Sequence, residues 1–361
     1  MDNKPISAQQ LAFLIFLLIP GTCLVFIPGT ADAQDAWIST LFAAGVGLFV
    51  LYAIIKLHDI FPGRKITTIS ISVLGKIPGI IFNLLFLWNM FLYTIWLIYT
   101  LVILLEIIYP LLPDIFLFSL LMLTSIYFIY RGLNALGRFG ELLIWPVLLL
   151  ILVGIIVAVP VVNFSNLQPV LVNWKPVVAG FLYVSEWPFT IVLVMGLFLP
   201  MVSGLSCRKD RLKIYYWYIL GGMFLILYTI LTFGSLGSEL INIYQFPVYE
   251  MFRLAGFGDF QRLELIFFFI WFTSGITVII IFYQALLLAI QDICGLPDYK
   301  SLILPLGLFL LVFTLYMFPN TIEYQVLAFK YIPVYMLPIN FLYPTILFIA
   351  AKIKQKRLTQ G

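Results

Sequence analysis

Charge is what this sequence lacks most. Asp, Glu, Lys and Arg make up 10% of its 361 residues, against about a quarter in an average soluble domain. So few charges cannot clothe a water-facing surface, which argues against a soluble enzyme, and no basic patch is present for nucleic acid. Histidine is nearly absent: His58 stands alone, which excludes a histidine-based metal site. It follows a predicted span and reads as a polar residue at headgroup level. Cysteine is scarce. Cys23, Cys207 and Cys294 are odd in number and far apart, so neither a disulfide framework nor a zinc site is indicated. There is no P-loop, no HExxH and no Gly-x-Ser-x-Gly in a strand–turn–helix setting. Nothing points to catalysis, a cofactor or a metal.

What the chain has instead is apolar residues, 63% of the total. They fall in repeated runs long enough to cross a bilayer, for which about 20 helical residues suffice. The runs are too long and continuous for barrel strands. The fold class is therefore an all-α polytopic membrane protein. Ten spans are predicted, over about 8–30, 35–57, 79–109, 115–131, 138–160, 176–203, 212–235, 265–291, 301–318 and 333–352. An amphipathic piece, 66–76, is placed at the membrane surface. A polar segment, 236–264, follows span seven and holds a short helix around 248–254. The N-terminal run resembles a signal peptide, with Ala31-Asp32-Ala33 as the cleavage-site look-alike. Asp2 offsets Lys4, however, and the apolar stretch is longer than usual, so the first span is expected to be retained.

Lys and Arg set the orientation. With the N-terminus inside, sixteen of the twenty fall on cytoplasmic segments, and only Lys175, Arg253, Arg262 and Lys330 lie outside. Both termini are then cytoplasmic.

Two spans are interrupted in their sequence pattern. Ile19-Pro20-Gly21-Thr22-Cys23 sits in the middle of span one, and Ser185-Glu186-Trp187-Pro188 sits inside span six. Proline removes a backbone donor and glycine weakens a helix. In lipid, freed backbone groups are tolerated only against protein or a watery cavity. Either segment alone reads as well as a proline kink. Together they divide the chain into five spans and five, separated by the 161–175 linker. This is the sequence pointer to an inverted-repeat transporter fold. The whole is one integral membrane domain, residues 1–361, with 1–160 and 176–352 as its halves. Pro146, Pro305 and Pro338 also lie within spans, so the pairing rests on position.

Glu186 is the one carboxylate placed deep in a span. Ionisable residues there are costly and point to function. No Lys or Arg lies at similar depth, which leaves a ligand ammonium, a proton, or water with backbone N–H groups as its partner. Glu186 could also cap the second half of span six, since Pro188 suits a first helical turn. Thr22, Cys23 and Ser185 flank the breaks. Thr273, Ser274, Gly275 and Thr277 on span eight could line a cavity or form a small-residue packing face. Trp88, Asn89, Tyr93, Trp96 and Tyr99 on span three read first as filling between helices. The Pro20–Cys23 carbonyls and the span-eight hydroxyls could surround a sodium ion. They do not favour sodium over proton coupling or none.

Along the chain, short motifs recur in a familiar order. They are Ile6-Ser7 with Gln10, Gly21-Thr22, Gln34-Asp35-Ala36-Trp37, and Arg131-Gly132 with Arg138 and Glu141. Asn166-Leu167-Gln168-Pro169-Val170-Leu171 and Phe246-Pro247-Val248-Tyr249-Glu250 follow, then Gly258-Asp259-Phe260 with Arg262, and Trp271. In these the chain resembles the B subunits of endospore germinant receptors, the spore germination permeases of the amino acid–polyamine–organocation transporter superfamily. The resemblance covers nearly the whole length. It implies a ten-helix fold like that of sodium-coupled amino-acid transporters, a germinant-sensing role in the spore inner membrane, and A and lipoprotein C subunits as partners. It also implies a small germinant, such as an amino acid, held between spans one and six with spans three and eight as walls. By position the site is then Gly21, Thr22, Cys23, Ser185, Glu186, Thr273, Ser274 and Thr277. Gly21→Ala is expected to cost the nutrient response at near-normal protein level.

The alternative is an amino-acid transporter working by alternating access on the same fold. A membrane scaffold without a ligand would leave Glu186 and both interruptions unexplained.

Overall fold

The computed structural model describes residues 5–23, 34–255, 263–318, 320–327 and 331–360. Residues 24–30 of the first predicted span lie outside the described residues, as do Lys4, Ala31-Asp32-Ala33, Gly258-Asp259-Phe260, Arg262 and Lys330. Among the described residues nine helices are long and apolar enough to cross a membrane, and Ala8–Cys23 is a shorter apolar one. With Ala8–Cys23 as span one, the spans that follow are Ala36–Ile60, Lys76–Ile108, Asp114–Arg131, Leu133–Ala158, Trp174–Leu197, Arg208–Ile243, Glu264–Cys294, Lys300–Met317 and Ile332–Gln360. Spans seven and ten run further than their apolar stretches. The excess is polar helix at Arg208 to Lys213 and beyond Lys352, which no longer needs lipid around it, and in span seven a separate turn of helix after Gly237, where the backbone leaves helical space at φ 71°, ψ 164°.

Span one corrects an expectation. Its helix is continuous through Pro20, Gly21 and Thr22 to Cys23, so Ile19–Cys23 is not an interruption. Every residue from Leu11 to Cys23 is buried. A helix packed on all sides can absorb the one hydrogen bond that Pro20 removes, because tertiary contacts override local propensity. Span six breaks where its sequence says it should. The α-helix ends at Val184, Ser185–Phe189 form one wide turn, and a tighter helix runs from Thr190 to Leu197. Trp187 leaves helical space at φ −127°, ψ 110°. Pro188 drives the residue before it toward extended backbone.

The bundle has an inside and a rim. Of the apolar window, 72% is buried in spans three and six but only 22% in span nine, so span nine faces lipid. Between lipid-solvated helices the hydrophobic effect gives little, and close backbone approach takes its place. Gly21 of span one lies against the backbone of Ser274 in span eight: a Cβ there would be 2.6 Å from its carbonyl carbon and oxygen. Gly47 of span two is as tight against Phe189 of span six, whose carbonyl oxygen would be 2.6 Å from such an atom.

The 66–76 piece forms a helix over Ile66–Leu74, but it is not simply a surface helix. Ile66, Thr67, Ile69 and Ser70 are buried, because Gly75 at φ 93° turns the chain sharply back into span three. Asn83 Nδ2 donates to the Thr67 carbonyl at 3.0 Å, and Lys65 and Thr67 both bind Asp292 of span eight, at 2.7 and 2.6 Å. The helix expected at 248–254 is present as Pro247–Leu254.

Ile6–Ser7 pairs in parallel with Val202–Ser203. This two-residue bridge ties the entry of span one to the exit of span six. Ser7 and Gln10 cap the helix reciprocally: the Ser7 amide donates to Gln10 Oε1 and the Gln10 amide to Ser7 Oγ, at 3.0 and 3.1 Å.

Candidate functional site

The wide turn of span six puts Glu186 at the centre of the bundle, fully buried. Its Oε1 accepts a hydrogen bond from Asn340 Nδ2 of span ten at 3.3 Å. Its Oε2 is buried and has no hydrogen-bond partner among the described residues. Among the described residues Glu186 takes part in no ion pair. A carboxylate removed from water needs a cation or several donors, and one neutral amide supplies neither.

Spans one and six meet at the next residues. Trp187 Nε1 donates to the Thr22 carbonyl at 2.7 Å, and the Cys23 thiol lies 3.7 Å from the Trp187 carbonyl. The Thr22 hydroxyl turns back to the Leu18 and Ile19 carbonyls, so it is committed to its own helix. On span eight, Thr273 and Thr277 likewise donate to Phe269 and Thr273 carbonyls one turn earlier. Ser274 and Ser185 differ: the Oγ of each is buried and without a hydrogen-bond partner among the described residues. Of the eight expected site residues, the structure therefore joins Gly21 to Ser274 and Thr22 and Cys23 to Trp187. It leaves three of their polar atoms open: Ser185 Oγ, Glu186 Oε2 and Ser274 Oγ. It spends the hydroxyls of Thr22, Thr273 and Thr277 locally. The amides of Gly21 to Cys23 sit in a helical turn, where N–H groups bond to carbonyls four residues back.

Aromatic rings wall this region. Tyr93 stacks on Trp187 with centroids 5.0 Å apart, and Trp96 meets Trp187 edge-on at 4.0 Å. Trp88 of the same span points away and is half exposed. Asn89, Tyr93 and Asn340 form one buried polar cluster with Glu186. Asn89 Nδ2 donates to Asn340 Oδ1 at 3.3 Å, and Asn340 Nδ2 also donates to the Tyr93 hydroxyl at 3.1 Å. Sequence reasoning missed Asn340. The available signal was an amide in the middle of an apolar span, which must find a partner inside the bundle.

The motif residues quoted from the sequence meet in pairs at the rims. Gln10 Nε2 donates to Glu141 Oε2 at 3.1 Å. Gln34 Nε2 donates to the Pro169 carbonyl at 2.7 Å, and Asp35 Oδ2 accepts from the Leu171 amide at 3.0 Å. Residues 5–322 match the family described as "Spore germination protein". The chain belongs to that family. Within it, the chain is similar to "Spore germination protein KB" of Bacillus subtilis (strain 168), at 27% identity over 372 residues, covering 99% of this chain and 97% of that protein. The resemblance read from the motifs is thus borne out, and the spore germination protein fold is the polytopic helical bundle described above.

Proposed function

We propose that this chain is the nutrient-sensing B subunit of a spore germinant receptor, binding a small germinant such as an amino acid between spans one and six. The observation that carries this is Glu186, a buried carboxylate at a helix break with an oxygen left open and, among the described residues, no cation paired with it. A ligand ammonium supplies the missing charge. The ligand carboxylate is received by the hydroxyls of Ser185 and Ser274, buried donors left unpaired among the described residues on spans six and eight, both of which pack against span one. This replaces the span-one amides as the carboxylate's partners, because those amides belong to a helix here.

We extend the proposal to the setting. Both termini are cytoplasmic on the Lys and Arg distribution, the membrane is the spore inner membrane, and the partners are an A subunit and a lipoprotein C subunit. The halves 1–160 and 176–352 are inverted repeats. Two short helices support that pairing: Ile66–Leu74 lies between spans two and three, and Pro247–Leu254 between spans seven and eight. The charge pattern sets these two connections on opposite sides of the membrane.

Glu186→Gln tests the site. It keeps the size and one oxygen but removes the charge. The nutrient concentration for half-maximal germination should rise about tenfold or more, the effect of losing at least 1.4 kcal/mol. Protein level and assembly with the partner subunits should hold. An unchanged dose–response would leave Glu186 a structural cap. Flux of labelled amino acid through the reconstituted chain would favour the transporter reading instead.

A further inference from the structure

We propose that span ten is the element that reads the site, and that Asn340 is its contact. This rests on the ligand role of Glu186. In the structure Asn340 holds Glu186 Oε1 while also binding Tyr93 and Asn89. It thereby pins span ten to spans three and six at one buried point. A ligand ammonium paired with the open Oε2 draws charge from the carboxylate and so weakens the hydrogen bond that Oε1 accepts from the Asn340 amide. Occupancy then weakens the attachment of span ten, and a ligand can shift an equilibrium only through such a difference between states.

The same face of span ten carries two more polar attachments. At 3.6 residues per turn, Asn340, Tyr343 and Lys354 fall within about 60° of one another. The Tyr343 hydroxyl donates to Asn83 Oδ1 at 2.7 Å, and Asn83 in turn holds the Thr67 carbonyl. Lys354 Nζ donates to the Ser72 carbonyl at 2.8 Å. Both attachments end on the Ile66–Leu74 helix, which stands on the cytoplasmic side by the charge pattern. One helix, continuous through Pro344, therefore connects the carboxylate at the bilayer centre to a helix at the cytoplasmic face, with a discrete hydrogen bond at each stage. Loosening it at Asn340 loosens its hold on the 66–74 helix, where a partner subunit can detect the change. Asn340 is a positioning residue, acting through Glu186 and span ten.

The test uses Asn340→Leu, with Tyr93→Phe as a second variant that removes one acceptor of the same amide at almost no change in volume. Spores are titrated with a mixture of the proteinogenic L-amino acids. Removing the clamp should lower the half-response concentration, by about tenfold for Asn340→Leu, equivalent to 1.4 kcal/mol, and by less for Tyr93→Phe. A raised concentration at normal protein level would make Asn340 an ordinary ligand contact and overturn the clamp, as would an unchanged one.

A readout without nutrient separates this from the reading of Glu186. Ser70 is fully buried on the 66–74 helix. In a background with Cys207 and Cys294, the exposed thiols, changed to serine, Ser70→Cys should react slowly with N-ethylmaleimide in membranes. Adding Asn340→Leu, or Tyr93→Phe should the leucine variant not accumulate, should speed labelling severalfold. Equal labelling rates would overturn the coupling whatever Glu186→Gln does. A null result for Glu186→Gln with faster labelling would sink the ligand role and keep the coupling.

Discussion

Replacing Gly21 by alanine adds one methyl where none fits. The new Cβ would lie 2.6 Å from the carbonyl carbon and oxygen of Ser274 and 2.8 Å from Val278 Cγ2. The first two are backbone atoms in the middle of span eight and cannot rotate aside. Ordinary contact begins at 3.4 Å, so spans one and eight must part by about 0.8 Å, the difference between 3.4 and 2.6 Å. Overpacking of this kind costs about 1–3 kcal/mol, and alanine's better helix propensity returns about 1. The net loss is about 0–2 kcal/mol, set toward the upper end by the two backbone atoms that cannot move aside. Gly222→Ala is the internal control. Its Cβ would meet Ala44 Cβ at 3.5 Å and Phe189 Cε1 at 3.6 Å, which is ordinary contact, so only the propensity gain of about 1 kcal/mol remains. Thermal unfolding of the two purified variants in one detergent should rank Gly222→Ala at or above the parent and Gly21→Ala clearly below it. Spores carrying Gly21→Ala should then hold less of the protein, not the near-normal level that the sequence alone suggests. Equal stability of the two variants would refute the close approach of spans one and eight.

Two further substitutions probe the seams around the site. Trp187→Phe keeps a ring against Tyr93 but leaves the Thr22 carbonyl without the indole donor; a loss of about 1 kcal/mol is expected, read as a lower unfolding temperature, and an unchanged one would mean that this bond does not hold spans one and six together. Asp35→Ala removes the buried carboxylate that holds the Leu171 amide at φ 56°; a loss of about 1.5–3 kcal/mol should appear with faster proteolysis of the 161–175 linker, and protease resistance equal to the parent would refute the tether.

The legible parts were those set by local chemistry. Pro188 forces the residue before it out of helical space, so the span-six break and the placing of Glu186 could be read directly. The apolar runs gave the spans, because a bilayer imposes length regardless of what packs where. Pro20-Gly21 shows the limit of the same rule: it carries the same breaking residues, yet burial on every side keeps it helical through Cys23. Asn340 shows another limit. Its partner Glu186 is 154 residues away, and nothing local to Pro338-Ile339-Asn340 says which helix face meets span six. The rim pairs lay between. Gln10, Glu141, Gln34 and Asp35 were visible as motif residues, but only the fold shows Gln10 reaching Glu141 and Asp35 holding Leu171.

The rim where span one begins and span six ends offers a way to separate sensing from transport. Ser7 and Ser203 face each other in the parallel pair, and Ser203 Oγ donates to the Ile6 carbonyl at 3.2 Å. Gln10 and Glu141 close the same edge. Neighbouring strands lie about 4.8 Å apart, within the range of about 4.4–6.8 Å that a disulfide spans. Ser7→Cys with Ser203→Cys, in the background lacking Cys207 and Cys294, should therefore crosslink on oxidation. Alternating access requires spans one and six to part at this rim to release solute. A sensor that reports through span ten does not, because Asn340, Tyr343 and Lys354 attach elsewhere. Oxidised membranes should thus bind a labelled amino-acid mixture as reduced ones do, and Ser70→Cys in the same chain should still become more reactive to maleimide when the mixture is added. Loss of that change on oxidation, restored by reduction, would show that the rim must open and would return the chain to the transporter mechanism.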